Sequence, residues 1–250
     1  MTKKLFLIAL FLILLALVLS FKSSLDKAVK NSQPNETPVE LLLPENKIGE
    51  KIIYDINLGK ICLGTSSFLR VDNQELNGKT VNVMIFQTHL AHFTDKEIIY
   101  TDPQTLLPLR VERNITNLML RENIIEDYDQ KEFIVTINKK KTIGFDEQFV
   151  IKKDEPINNA ILMPQYVRRL AELNIGKEFT ANLPTRKITI KLISIDEIKV
   201  PAGTFKAYHF ESTPRQIEIW ISADQQRIPV KIQDTGKFGY TLLLKEYISS

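Results

Sequence analysis

A single cysteine, Cys62, stands among 250 residues, so the chain can form no internal disulfide and no cysteine-based zinc cluster. Its own reading is a small buried apolar side chain. Histidine is nearly as scarce, at three residues. His89 and His92 form an H-x-x-H pair, but positions three apart on a strand point to opposite faces, and no glutamate lies between them as in a helical zinc motif. His209, flanked by Tyr208 and Phe210 in a β-type run, reads as a structural imidazole. There is no G-x-S-x-G elbow and no glycine-rich phosphate loop. The acids Glu122, Glu126, Asp127 and Asp129 read as the solvated face of a hairpin rather than as an acid and base pair. An excess of one charge is missing as well. The formal net charge is +3, but the first 30 residues hold five lysines and one aspartate, which leaves the rest close to neutral. That balance gives no electrostatic case for nucleic acid. These absences point to a protein that is not an enzyme, with no metal site and no cofactor.

What is present begins with Leu5 to Phe21, an unbroken apolar run behind Lys3 and Lys4. A basic stretch followed by an apolar core is the pattern of a secretory signal or an uncleaved anchor, and the run approaches the roughly 20 residues that span a bilayer. It closes Leu17-Val18-Leu19-Ser20-Phe21-Lys22, without a small-residue cleavage triplet, which favours a signal anchor over a signal peptide for residues 1–21. In both cases the bulk of the chain is expected outside the cytoplasm, held to a membrane through the N-terminal helix, or released if the segment is cleaved. Residues 22–47, rich in Lys, Ser, Asn, Pro and Glu, read as a flexible tether. Residues 48–250 read as one β-rich domain.

The domain is patterned at period two. Ile188, Ile190 and Leu192 alternate with Thr189 and Lys191, and Ile217, Ile219 and Ile221 alternate with Glu218 and Trp220, so each strand presents two distinct faces. Similar runs span 51–58, 61–71, 80–88, 96–100, 107–115, 120–127, 133–138, 142–151, 179–183, 205–211, 229–233 and 240–247. Reversals are marked by Asn77-Gly78, Asp102-Pro103 and Pro201-Ala202-Gly203. Short connections imply antiparallel neighbours. The fold class is therefore mainly β: an antiparallel, strongly curved sheet or open half barrel. One helix interrupts it between Asn159 and Leu173, with Tyr166, Val167, Leu170 and Ala171 on one side and Arg168, Arg169 and Glu172 on the other. Pro164 suits its first turn and Gly176 its end. This helix is expected to cover one face or opening of the sheet.

Aromatic side chains are spread over most strands. Phe68, Phe86, Tyr128, Phe133, Tyr166, Phe210 and Trp220 are the candidate lining of a concave apolar site, and filling a packed interior is their alternative role. Lys139-Lys140-Lys141 reads as a charged hairpin tip, with contact to anionic lipid headgroups as its functional alternative.

Four separated motifs carry a family resemblance: Gly49-Glu50-Lys51-Ile52-Ile53-Tyr54 with Gly59 and Gly64, then Thr101-Asp102-Pro103-Gln104-Thr105-Leu106-Leu107-Pro108-Leu109-Arg110, then Val200-Pro201-Ala202-Gly203-Thr204-Phe205, and finally Ile219-Trp220-Ile221-Ser222 with Arg227-Ile228-Pro229-Val230 and Phe238-Gly239. From about Gly49 to Tyr247 the chain resembles the bacterial domain-of-unknown-function 3108 family. The resemblance implies an exported protein of the bacterial cell envelope, with its domain in the periplasm, anchored to the inner membrane or released there if the N-terminal segment is cleaved, and with a half-open barrel similar to lipoprotein-sorting and lipid-carrier folds; it implies no reaction. The expected function is a non-catalytic envelope protein that binds a hydrophobic ligand or a lipid-linked component in its curved sheet. The alternative is a protein-protein interaction module with an envelope partner.

Overall fold

A computed structural model describes residues 47–236 and 239–249. The anchor at 1–21, nearly all of the tether and Phe238 lie outside these described residues. No helix among the described residues is long and apolar enough to cross a membrane.

Fourteen strands form one antiparallel sheet. They are β1 (Lys51–Leu58), β2 (Ile61–Leu76), β3 (Lys79–Leu90), β4 (Phe93–Thr101), β5 (Pro108–Asn117), β6 (Leu120–Asp129), β7 (Ile134–Lys141), β8 (Glu147–Lys152), β9 (Glu178–Asn182), β10 (Lys187–Val200), β11 (Gly203–Thr213), β12 (Ile217–Ser222), β13 (Pro229–Asp234) and β14 (Tyr240–Ile248). The order across the sheet runs from β8 down to β1, then from β14 down to β9. Two meanders are thus joined at a seam where the first strand pairs with the last, Lys51 opposite Ile248 and Leu58 opposite Tyr240. The sheet does not close into a barrel, and β8 and β9 are its edges. The Asn77-Gly78 turn has both residues at positive φ, 53° and 74°, the geometry that a two-residue hairpin turn favours. Asp102 organises the β4–β5 loop through its side chain, whose Oδ1 accepts from the N–H groups of Gln104 and Thr105 at 2.9 Å, as aspartate does in such turns.

The segment between β8 and β9 carries a 3-10 turn (Ala160–Leu162) and the helix α1 (Met163–Arg168). Asn159 Oδ1 caps the turn by accepting from Ile161 N at 2.8 Å. The helix is much shorter than the expected 159–173, and its two faces do not divide into apolar and charged. All six residues of α1 are buried, and so is Arg169. Two-sided logic fails because α1 is packed against protein on every side. Gly176 lies in a later turn, not at the helix end.

Two further expectations are corrected. The run 142–151 is not one strand: residues 142–146 form a turn, with Gly144 at φ 109°, and β8 begins only at Glu147. The three lysines therefore belong to the end of β7 rather than to the tip. Cys62 is exposed rather than buried, because β2 opens beside the Gly59-Lys60 turn before its side chains reach the core.

Apolar burial divides between two clusters. The larger gathers Ile99, Val111, Tyr128, Val135 and Ile137 with Leu162, Met163, Tyr166, Val167 and Leu170 of the return segment, and with Ile190, Phe210 and Ile219. The smaller lies around the seam, with Ile52, Tyr54, Ile56, Leu242 and Leu244. Arg168 reaches that seam. It forms a two-pronged pair with Glu50, at 2.8 and 2.7 Å, and donates to the carbonyl of Gln226, while Tyr247 of β14 donates to the same Glu50 carboxylate at 2.8 Å.

Candidate functional site

The seven aromatic residues singled out as a lining are not brought to one place. Tyr128, Tyr166 and Phe210 belong to the larger cluster. Phe68 and Trp220 belong to the smaller, with Phe86 packed against it, and Phe133 sits half-buried at positive φ in the β6–β7 turn. The concave face is occupied by the chain itself. Tyr166 stacks on Phe179 with ring centroids 5.5 Å apart, and its hydroxyl donates to Leu106 O at 3.2 Å. The opening between α1 and β1–β3, lined by Glu50, Ile52, Phe68, Arg70 and Gln165, encloses about 10 Å³, room for a single water.

Toward the β5–β6 and β7–β8 turns the same concave face becomes charged. Glu97 shares a face with Ile99, Arg113 with Val111, and Glu126 with Tyr128, by the two-residue alternation of strands. Arg113 Nε stands 3.3 Å from Glu97 Oε1 and also binds Asp95. Lys139 pairs with Glu122 on the neighbouring strand. With one guanidinium shared among acids, burial prevails at Glu97 and pushes its carboxyl up to about 7, against the lowering pull of Arg113. Burial raises Glu126 too.

A raised carboxyl makes the native state hold a proton that the unfolded chain releases near 4.5. Its stabilising contribution is complete below that pH and is lost as pH rises through about 7. Urea unfolding should therefore show stability falling by on the order of 2 kcal/mol between pH 5 and pH 8, and Glu97→Gln should flatten most of that slope. A slope unchanged in the variant would show that Glu97 is ionised throughout.

His209 projects from β11 on the face opposite Phe210. Its Nδ1 lies 3.1 Å from Asp196 Oδ2, and its Nε2 3.3 Å from Glu218 Oε2. Trp220 stacks on the imidazole at 4.1 Å with the planes 14° apart, and its Nε1–H donates to Asp196 Oδ2 at 3.3 Å. Lys231 sits 3.8 Å above the Trp220 ring. Arg215 donates twice to Glu218 Oε1, at 3.0 and 2.6 Å. His209, Glu211 and Glu218 are the described residues whose donor atoms lie close enough to share a cation. His89 and His92 do not join them: His89 is on β3 opposite Thr65, and His92 is in the β3–β4 turn, where its carbonyl accepts from Leu118 N. The sequence signal for this cluster is His-x-Glu on a strand, but the third member emerges only once the hairpin register puts Glu218 opposite Glu211.

The outer surface at the β8 edge is apolar. The β5–β6 turn exposes Leu118, Met119 and Leu120, Met119 at 91%, and the β7–β8 turn exposes Ile143 and Phe145, the latter at 90%. Arg121 and Thr142 exchange hydrogen bonds between these two turns, so the turns lie side by side and their exposed apolar side chains share one end of the sheet. Leu118 takes φ 55°, a conformation costing a branched residue about 1 kcal/mol that glycine or asparagine would avoid. Beside the patch runs β8, paired on one side only, with Val150 65% exposed. Sequence reading passed over this patch, although three consecutive apolar residues at a hairpin turn, Leu118-Met119-Leu120, were a visible departure from polar turn chemistry.

Residues 53–245 match the family described as a protein of unknown function, DUF3108. No curated protein matches the chain. Similar solved structures include a β-barrel-like protein of the domain of unknown function DUF1849 from Brucella abortus, at 11% identity and a TM-score of 0.44, covering 84% of this chain and 99% of that one. Another is a protein from Bacteroides fragilis described as exported with a YmcC-like fold, at 10% identity and a TM-score of 0.35, covering 84% of this chain and 100% of that one. A third, from Parabacteroides distasonis and described as a lipoprotein, has 10% identity and a TM-score of 0.28, covering 86% of this chain and 100% of that one. At such distances they assign no residue a role.

Proposed function

The chain belongs to the DUF3108 family, and from that premise we propose that it is a non-catalytic interaction module of the cell envelope that docks an extended segment of another envelope protein along β8. The apolar run at Leu5 to Phe21 supports tethering to the inner membrane with the module on the periplasmic side. The observation that carries the docking reading is the open edge of β8, flanked by the exposed Val150 and the apolar patch around Phe145 and Met119. An unpaired edge offers backbone donors and acceptors to an incoming strand, and proteins that do not use such an edge usually blunt it with charge, proline or a bulge. Contiguous exposed apolar side chains are likewise a mark of docking surfaces.

The test is photo-crosslinking in intact cells from a benzophenone amino acid placed at position 150 or 145. The expected result is one protein adduct from both positions, with the adduct from position 145 reduced at least about tenfold by Val150→Lys, a change that blocks strand addition at an exposed site. Adducts to lipid alone, or a protein adduct indifferent to Val150→Lys, would overturn the reading. The other reading, an apolar ligand in the concave face, requires the side chains of α1 to give up that space. Lipid that copurifies in stoichiometric amount, seen by native mass spectrometry, would favour it.

A further inference from the structure

We propose that His209, Glu211 and Glu218 form a binding site for a divalent first-row transition-metal ion of the Zn²⁺ type. The site lies on the opposite face of the sheet from α1 and is independent of the docking reading. His209 and Glu211 are two apart on β11, so both project from one face, and Glu218 is the direct cross-strand neighbour of Glu211 on β12. Side chains so placed start from Cβ atoms about 5 Å apart. One donor atom from each residue comes within 4.8 Å of the other two.

The distance between His209 and Glu218 fits a shared ion, and Glu211 lies within reach of both. His209 Nε2 and Glu218 Oε2 stand 3.3 Å apart, which is long for a hydrogen bond to a carboxylate. In a tetrahedral site with metal–ligand bonds of about 2.0–2.1 Å, two donor atoms are separated by about 3.3 Å. Two carboxylates facing each other across a strand pair also repel. Arg215 answers part of that charge, but it engages Glu218 through Oε1 and leaves Oε2 turned toward the imidazole.

Support behind the donors is built in. A ligating histidine commonly gives its other N–H to a carboxylate, which fixes the ring and raises its basicity. Asp196 is placed to accept from Nδ1–H, with Oδ2 at 3.1 Å, while Trp220 both donates to Asp196 and stacks on the ring. One imidazole nitrogen with two carboxylate oxygens suits Zn²⁺ or Mn²⁺ better than Ca²⁺ or Mg²⁺, which favour all-oxygen sets, or Cu⁺, which favours sulfur. Glu211 is half-buried and the Arg215 side chain is 68% exposed, so the site opens to solvent. Three protein donors leave a fourth position for water or a ligand from a bound partner.

Calorimetric titration of untagged, chelator-treated full-length protein with Zn²⁺ tests the site. One equivalent is expected to bind, at least about tenfold more weakly in His209→Ala and Glu218→Gln, and about 10–100-fold more weakly in Asp196→Asn, which leaves the donors in place. Glu211→Gln, a half-exposed conservative change, guards against loss through misfolding and is expected to weaken binding with an unchanged melting temperature. Co²⁺ should give the intense visible bands of a tetrahedral site in the wild type and lose them in Glu211→Gln. Binding of Zn²⁺ only at millimolar concentration, or binding that Glu211→Gln and Asp196→Asn leave unchanged, would overturn the proposal.

Discussion

Arg168→Ala is expected to cost about 3–5 kcal/mol, the usual result of removing one partner from a buried ion pair, and so to lower the melting temperature by on the order of 10 °C for a domain of this size. Side-chain exposure is 4% at Arg168 and 5% at Glu50, so neither charge has water to fall back on. Losing the guanidinium would strand the Glu50 carboxylate and leave the Gln226 carbonyl without its two donors. Burial by itself would lower the Arg168 pKa, but the hydrogen bonds and charge of Glu50 outweigh it and raise it. The double variant Glu50→Leu/Arg168→Met should recover a large part of the loss, since apolar replacement of both partners removes the desolvation penalty together with the attraction. Denaturant unfolding of the two variants decides the matter. A single-variant loss below about 1 kcal/mol would mean that the pair is solvated, as surface pairs are.

Tyr166→Ala should be comparably severe, at about 3–5 kcal/mol, because a fully enclosed aromatic ring leaves a cavity that its neighbours only partly refill. Tyr166 is 1% exposed, and three contacts depend on it: the stack on Phe179, the donation to Leu106 O and the acceptance from Asn159 N. Tyr166→Phe separates the terms. It keeps the ring and removes the hydroxyl, at an expected cost of about 1–2 kcal/mol for leaving a buried carbonyl short of a donor. Thermal melts of the pair should therefore rank alanine far below phenylalanine. Equal losses would place the energy in the hydroxyl rather than in the packing of α1.

The strands were legible because alternation is a local property. Thirteen of the fourteen runs mark their strands from their own few residues, the run at 142–151 excepted because its first half is a turn, and Asn77-Gly78 announces its own turn. Pairing of β1 with β14 was not legible, since nothing in Lys51 to Leu58 names a partner nearly 190 residues away. Separation in sequence, 118 residues from Glu50, also hid Arg168. Its place in a helical pattern argued for an outward position, and only the location of Glu50, at the far end of the domain in sequence, shows why a charge is buried there. Ile143 and Phe145 fit a strand pattern that hides their exposure, which follows from the turn at Gly144. His209 stands alone in the sequence, because its carboxylate neighbours Asp196 and Glu218 come from β10 and β12, each placed by register rather than by spacing.

Because β14 pairs with β1 on one side and with β13 on the other, the last of the fourteen strands in chain order is the keystone of the sheet and not an edge. Until residues 240–248 emerge, β1–β8 and β9–β13 have no ladder in common. Each half must wait with an open strand facing its missing neighbour. Such a layout defers the longest loop closure to the final step, and it leaves any unfinished chain open to aggregation through its unpaired strands.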